Sequence, residues 1–465
     1  MSPPFGQSTE ALYTGRLGRS AVAACLLGII GAIGTAPTHA QEAVTPQAVT
    51  PQAVTPEAVS PQAVTPEVVI PQAITQQAVG PEAVRYALSR QLLTAPQPLT
   101  QPTFISLGPF RGQLGAGVGI GFDDNANLTK TDTHSELVFD QSLDLNLNWV
   151  ISHLNELGFR LGATLTEVVG GAPGEQKFRL AIDPGSNIEF KIFVGDFLIR
   201  LHNYLTVIQD PTQNPAVSGQ SNLNQLTNNA GIAVDWDLSK LILTAGFDYS
   251  YYTDLGGGSG GASGIRNTIR PSLAASFALT PTMNTGLETA YSASFGAGSS
   301  HVDAFTVGPF LRGKLTRFIT IDLSGGLYVI QPSSLGPTDY FLSLNIRHQL
   351  TRILSYGASF TRDLEFSGAN SLTRNNAFTL DVQYLLRRNL TLAASGIINF
   401  GNVLISNPTV GVLPGSYVQY EAYIGLTWRL SRRIRTSLGY RFIDRNADQG
   451  SYKQNRVDLG LGFAF

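Results

Sequence analysis

Residues Tyr452 to Phe465 read YKQNRVDLGLGFAF. From Arg456 onward the stretch alternates without a break. Val457, Leu459, Leu461, Phe463 and Phe465 fall on one face; Arg456, Asp458, Gly460, Gly462 and Ala464 fall on the other. A period of two is that of a β-strand. One face is wholly apolar and ends on aromatics, while the other is charged and then small. In a soluble protein the apolar face would meet a core. In a membrane-spanning barrel it would meet lipid, and the polar face would meet a lumen.

Composition separates the two readings. Of the 465 residues only 14 % are charged, against about 25 % in soluble domains. Glycine is abundant, at 48 residues. Beyond residue 40 no apolar run approaches the ~20 residues of a membrane helix. Few charges, many glycines and apolarity spread over alternate positions fit a transmembrane barrel. A net charge of −2 excludes the basic balance of a nucleic-acid binder.

The N-terminal part reads as export and spacing. Arg16 and Arg19 precede an apolar stretch, Ala21 to Gly34, and Thr38-His39-Ala40 forms a cleavage-site pattern, so residues 1–40 read as a signal peptide. The single cysteine, Cys25, lies within it. Residues 41–84 repeat a PQAVT-type unit, with Pro46, Pro51, Pro56, Pro61, Pro66 and Pro71 five apart. Proline at that spacing excludes helix and sheet. The segment is expected to be disordered and extended, reaching on the order of 130 Å at ~3.1 Å per residue. It would act as a periplasmic linker, or as a tether to peptidoglycan or a periplasmic protein. Residues 85–109 read as a short helix, centred on Pro81 to Thr94, followed by a second linker.

From residue 110 the alternation predicts an all-β fold, an antiparallel up-and-down barrel of eighteen strands. They lie at 110–122, 135–149, 156–168, 176–183, 187–207, 223–236, 240–252, 264–279, 283–296, 302–314, 318–331, 338–350, 354–364, 373–387, 390–402, 415–430, 434–446 and 452–465. Because 187–207 is long and contains Gly195-Asp196, sixteen is the alternative count. Connections sort by length. Asp237 to Ser239, Thr280 to Thr282, Thr316-Arg317, Thr351 to Ile353, Arg387 to Asn389 and Ser431 to Arg433 are tight. Those at the other end are longer and rich in Gly, Asn, Ser and Asp. Short periplasmic turns alternating with longer outer loops mark bacterial barrels. Trp149, Trp236 and Trp428 all fall on the apolar face beside a tight turn, where an interfacial girdle belongs.

The chain resembles the porin-like β-barrel proteins of the Gram-negative outer membrane. The residues behind the resemblance are Gly115 to Phe122 running into Asp123-Asp124-Asn125, then Val194-Gly195-Asp196-Phe197, Asn229 to Ala233 with Trp236-Asp237-Leu238, and a closing strand with Phe463 and Phe465. The resemblance implies an outer-membrane location for residues 110–465 and recognition of Phe463 and Phe465 by the barrel-assembly machinery. It names no substrate and does not extend to the proline repeat.

No catalytic pattern is present, and neither cofactor nor metal is expected. The glycines of Gly115 to Gly121 fall at every second residue, so they line a strand face and form no phosphate loop. Asp123, Asp124, Asn125 and Asn127 read as a turn in preference to a calcium loop. What remains is the polar face. Arg160, Arg179, Arg270, Glu288, Arg312, Asp322, Arg347, Asp381, Glu421, Arg429, Arg441, Arg456 and Asp458 are expected to line a lumen. From Arg312 onward arginines outnumber acids, which predicts a weak anion preference unless the charges pair across strands. The expected function is diffusion of small polar solutes or ions across the outer membrane. The alternative is a structural barrel that tethers the membrane to the cell wall or to an export partner. Among the loops, Gln209 to Asn222 is the best candidate for a constriction, though none is long enough to make one evident.

Overall fold

The computed structural model describes residues 105–170, 177–219, 222–255, 265–297, 301–332, 338–366, 371–405, 413–448 and 450–465. The signal peptide, the proline repeat and the helix expected at Pro81 to Thr94 lie outside them. In chain order the strands are β1 (Ile105–Leu107), β2 (Phe110–Asp123), β3 (Glu136–Ser152), β4 (Asn155–Gly170), β5 (Phe178–Ile182), β6 (Asn187–Val194), β7 (Phe197–Ile208), β8 (Gln225–Asp237), β9 (Leu241–Asp254), β10 (Ile265–Thr280), β11 (Met283–Ala297), β12 (Val302–Lys314), β13 (Ile319–Gln331), β14 (Thr338–Gln349), β15 (Leu354–Phe366), β16 (Leu372–Arg387), β17 (Leu390–Ile405), β18 (Gly415–Arg429), β19 (Ile434–Ala447) and β20 (Tyr452–Ala464).

Successive strands pair antiparallel, β5 and β6 excepted, and the ring closes where β2 pairs with β20, from Gly115↔Ala464 to Asp123↔Arg456. β1 doubles back on β2 through Gly108-Pro109 and adds no member to the ring. The last residues of the stretch expected to be linker are therefore strand. β5 and β6 both pair with β4 and are two halves of one member. The barrel thus has eighteen members, and sixteen is excluded.

That count matches the sequence reading through two compensating differences. The expected single strand 187–207 is two strands, β6 and β7, which turn at Gly195-Asp196. Gly195 has φ of +57°, the left-handed region that glycine enters without a Cβ clash. Conversely, Asp183-Pro184-Gly185-Ser186, which reads as a turn, is a bulge within one member. It stays attached to the sheet because Asp183 N–H donates to the Gly162 carbonyl at 2.8 Å and Gly162 N–H donates to Ser186 Oγ at 3.0 Å. A bulge of this kind bends a strand without ending it.

The alternating faces sort as membrane and water require. Val118, Ile120 and Phe122 on β2, Leu273 and Phe277 on β10, and Leu438 and Tyr440 on β19 are exposed on the outer face. So continuous an apolar exterior is far larger than any patch a soluble monomer shows. The connections also sort: eight are tight turns at one end, and the longer ones lie at the other. Three tight turns share one construction. Thr316 Oγ1 accepts from the N–H groups of Phe318 and Ile319 at 3.2 and 3.1 Å. Thr351 Oγ1 does so from Ile353 and Leu354 at 3.2 and 3.0 Å, and Ser431 Oγ from Arg433 and Ile434 at 3.2 and 3.1 Å. The hydroxyl supplies the acceptor that the chain reversal takes away from the ladder.

A side chain at Gly195 would meet no atom within 4 Å, so any cost of substitution is backbone strain alone. Gly195→Val is expected to destabilise the barrel by about 1–2 kcal/mol in urea unfolding from lipid vesicles. Gly396→Ala, with equally open surroundings, serves as the control. Equal midpoints for the two would disprove a strained turn at Gly195.

Candidate functional site

The face opposite the exposed apolar residues holds the charges. On β11 to β13, Arg312 bridges Glu288 at 3.1 Å and Asp322 at 3.2 Å, so three neighbouring strands share one cation. Arg179 meets Glu136 through two contacts, at 3.2 and 3.1 Å. Arg200 pairs with Asp235 at 2.9 Å, and His202 with Asp248 at 2.8 Å. Arg270 lies opposite Asp248 in the register. Arg347, Gly357 and Asp381 form one row across β14, β15 and β16. Arg160 lies across Gly185 of the bulge. Arg429 and Arg435 stand side by side near the tight-turn end. Several of the expected lumen arginines are thus matched by acids one or two strands away, which removes part of the net positive charge inferred for the wall after Arg312.

The loop singled out as the best candidate for a constriction, Gln209 to Asn222, does fold inward, although its length alone did not make that evident. Residues 209–219, between β7 and β8, fold into the barrel and dock on β18, β19 and β20. In the ring those strands are separated from β7 by β6 with β5, β4, β3 and β2. The segment is therefore a strap across the interior. It begins with a 3₁₀ turn, Pro211–Gln213, capped by Asp210, whose Oδ1 accepts from Thr212 N–H at 2.9 Å. Asp210 Oδ2 accepts from Arg441 at 3.1 Å and lies 3.9 Å from Arg456. Arg456 in turn bonds Asp458 at 2.9 Å and approaches Asp140 at 3.9 Å. Arg441 and Arg456, expected only as lining residues, here hold the strap, with Asp458 bonded to Arg456, and Glu421 lies opposite Ile443, two register positions from Arg441.

Arg445 makes the second anchor. The residue is 2 % exposed. It donates to the carbonyls of Pro215 at 2.9 Å and Ala216 at 3.4 Å, and to that of Gly450. The rings of Tyr417 and Tyr452 flank it, with centroids at 5.5 and 6.0 Å. Beside it Ala216 and Val217 pack on Tyr417, and Leu128, Ile443 and Tyr452 form a second buried cluster. The first long loop joins in, since Gly219 N–H donates to the Leu128 carbonyl at 3.1 Å. That loop is itself pinned: Asp124 accepts from Asn455 at 2.7 and 2.6 Å, and Asn125 donates to the carbonyls of Thr129 and Lys453 at 2.8 and 2.7 Å. These side chains bind protein groups, as a structured turn requires.

Asp210 shows how tightly the strap is held. Burial pushes its carboxyl up, but the guanidinium groups of Arg441 and Arg456 and the Thr212 hydrogen bonds outweigh this and hold it well below the usual aspartate range. Sequence reasoning could have found the strap from two signals. Ala216-Val217 is an apolar pair in a loop, and Ile443 is an apolar residue between Arg441 and Arg445 on a charged face.

On the outer face Trp149, Trp236 and Trp428 are 44 %, 40 % and 50 % exposed, each beside a tight turn. Trp236 stacks on Phe197 at 5.7 Å. Phe463 pairs with Ile434 and Ala116, and Phe465 N–H donates to the Leu114 carbonyl at 2.8 Å.

No family model matches the chain, and no curated protein matches it. Among solved structures it is similar to Pseudomonas aeruginosa OccK5 (OpdH), with 15 % identity and a TM-score of 0.42 over 77 % of this chain and 99 % of that one. P. aeruginosa OccK7 (OpdD) gives 10 % identity and a TM-score of 0.44 over 77 % and 99 %. Acinetobacter baumannii OccAB4 gives 11 % and 0.40 over 78 % and 100 %. Likeness at this level says nothing about what this chain admits.

Arg445→Met keeps the length and removes the donors, each worth about 1.5–3 kcal/mol to a charged group. It is expected to free the strap and raise single-channel conductance or its noise, and an unchanged trace would rule out Arg445 as an anchor. The Asp210 anchor has a defined pH window. A depressed folded-state value means that its contribution is fully present above about 3.9, the ordinary aspartate value, and is lost only as pH falls through the lower folded value. The conductance difference between wild type and Asp210→Asn should therefore be the same at about pH 4.5 as at about pH 7. A difference that vanishes at the lower pH would show that the carboxylate is not held by Arg441.

Proposed function

We propose that the chain is an outer-membrane channel through which small polar solutes or ions diffuse, narrowed by the strap at residues 209–219. The observation that supports this best is the pairing of an apolar exterior with a charged interior that a strap crosses. A barrel built only as a scaffold has no need of a folded-in segment held by Asp210, Arg441, Arg445 and Arg456. A ring of eighteen members leaves room for water unless it is plugged.

The mechanism is passive. A solute enters among the long loops, passes the strap between walls carrying both signs of charge, and leaves past Arg347, Arg429 and Arg435 at the tight-turn end. Both signs at the strap favour dipolar or zwitterionic solutes over a strongly charged one, and the arginines beyond it give anions the easier exit. In this orientation the tight turns and the N-terminal segment face the periplasm, as in barrels of this kind. Residues 41–84 then serve as a spacer.

The refolded chain lacking residues 1–40, with and without residues 41–104, should give the same steady conductance in a planar bilayer. Silence in both forms would sink the channel reading and move the weight to a tethering scaffold. Conductance only after truncation would make the N-terminal segment a plug.

A further inference from the structure

We propose that the four tight turns between β12 and β19 form a binding surface for anionic phospholipid headgroups in the leaflet beside them. This rests on the membrane-channel reading. The four turns repeat one pattern: Leu315-Thr316-Arg317-Phe318, Leu350-Thr351-Arg352-Ile353, Leu386-Arg387-Arg388-Asn389 and Leu430-Ser431-Arg432-Arg433. They are successive around the ring, joining β12 to β13, β14 to β15, β16 to β17 and β18 to β19. The arginines therefore lie along one arc of the rim.

Three features point to lipid. First, every turn carries exposed apolar residues next to its arginine: Leu315 and Phe318, Leu350 and Ile353, Leu386, and Leu430 are 44–56 % exposed. With those side chains in hydrocarbon, the guanidinium one residue away stands level with the phosphates, as a snorkelling side chain does. Second, the presentation is repeated. The hydroxyls of Thr316, Thr351 and Ser431 cap their turns in the same way and fix the arginine at the same place in each. Third, the arc is uncompensated. Arg317, Arg352, Arg387, Arg388, Arg432 and Arg433 are exposed and make no ion pair with a described residue, whereas Arg312 and Arg441 inside the barrel are paired. The other four tight turns contain no arginine; their charged residues are Asp196, Asp237 and a single lysine, Lys240.

Each basic side chain near an anionic lipid surface favours it by about 1 kcal/mol, or about fivefold. Six of them on one arc would select an anionic headgroup over a zwitterionic one. The chain has another candidate occupant, its own segment 41–84, with Glu42, Glu57, Glu67 and Glu82 and no basic residue. Four acids spread over that length match the arc less well than a dense layer of phosphates at the level of the exposed leucines.

The test uses the chain from residue 41 refolded into vesicles of equal phosphatidylglycerol and phosphatidylethanolamine. Lipids retained on the extracted barrel are counted by native mass spectrometry. Wild type should hold phosphatidylglycerol in preference by at least about fivefold. Replacing all six arginines with Gln should abolish the preference, and replacing them with Lys should restore it, with single-channel conductance present in all three. Wild type carrying the two lipids in bilayer proportion would overturn the proposal. So would phosphatidylglycerol retention that appears only once residues 41–104 are deleted, since the acidic segment would then be the occupant. Lipid preference without conductance in any form would count against the channel and leave the lipid surface standing, whereas failure to insert at all would overturn both.

Discussion

A strand crossing hydrocarbon has nowhere to place an unpaired backbone amide. Each such group costs several kcal/mol, so a sheet in lipid must close on itself. Much else in this structure follows from that constraint. β2 and β20 are the first and last members of the ring, and their pairing removes the two edges that aggregation would otherwise exploit. Closure also fixes which face of every strand meets lipid, because a slip of one residue would turn every apolar side chain inward. The bulge at Asp183 to Ser186 meets the same requirement. It interrupts the ladder of β4 but returns the freed groups to Gly162 and Ser186, so the wall has no gap there.

Inside, the problem reverses, since charge is available in excess and has to be placed. Arg312 between Glu288 and Asp322, and Arg179 against Glu136, show cross-strand pairing that stiffens the wall while keeping it wet. Around Asp210 the pairing has another purpose. There the acid comes from a loop and the cations from strands across the interior, so the same interaction that neutralises charge also sets where the passage narrows. Arg445 does this with backbone carbonyls as partners, which fixes the path of the strap and not merely its charge.

The barrel was legible because its signals are local and repeated. Alternation shows in each strand, and loop lengths sort by end. Within that frame two local signals misled. Pro184-Gly185 is strong turn chemistry, yet β4 gives both flanking segments the same partner and the chain runs on. Gly195-Asp196 is a turn of two residues between apolar stretches of the same period, so nothing in the hydrophobic pattern marks the reversal, and only the φ that Gly195 permits reveals it. The strap was legible only in part: Gln209 to Asn222 stood out as the loop to form a constriction, but its anchors did not. Asp210 and Arg441 lie 231 residues apart, and no periodicity connects a loop to a wall. The inward Ile443 and the apolar Ala216-Val217 were visible in sequence, but only the register shows that they share one side of the interior.

That separation has a consequence for how the protein is made. The groups that hold the strap sit on β19 and β20, the strands through which the ring closes on β2. In a barrel whose β19 and β20 are not yet in place beside β2, the strap has no Arg441, Arg445 or Arg456 at the wall to grasp. Narrowing is therefore conferred only when the ring is complete, and an arrested intermediate would present a wide, unguarded hole. The strap contacts span 229 to 231 residues, and contacts so distant in sequence are slow to form. A docked strap thus certifies a finished barrel.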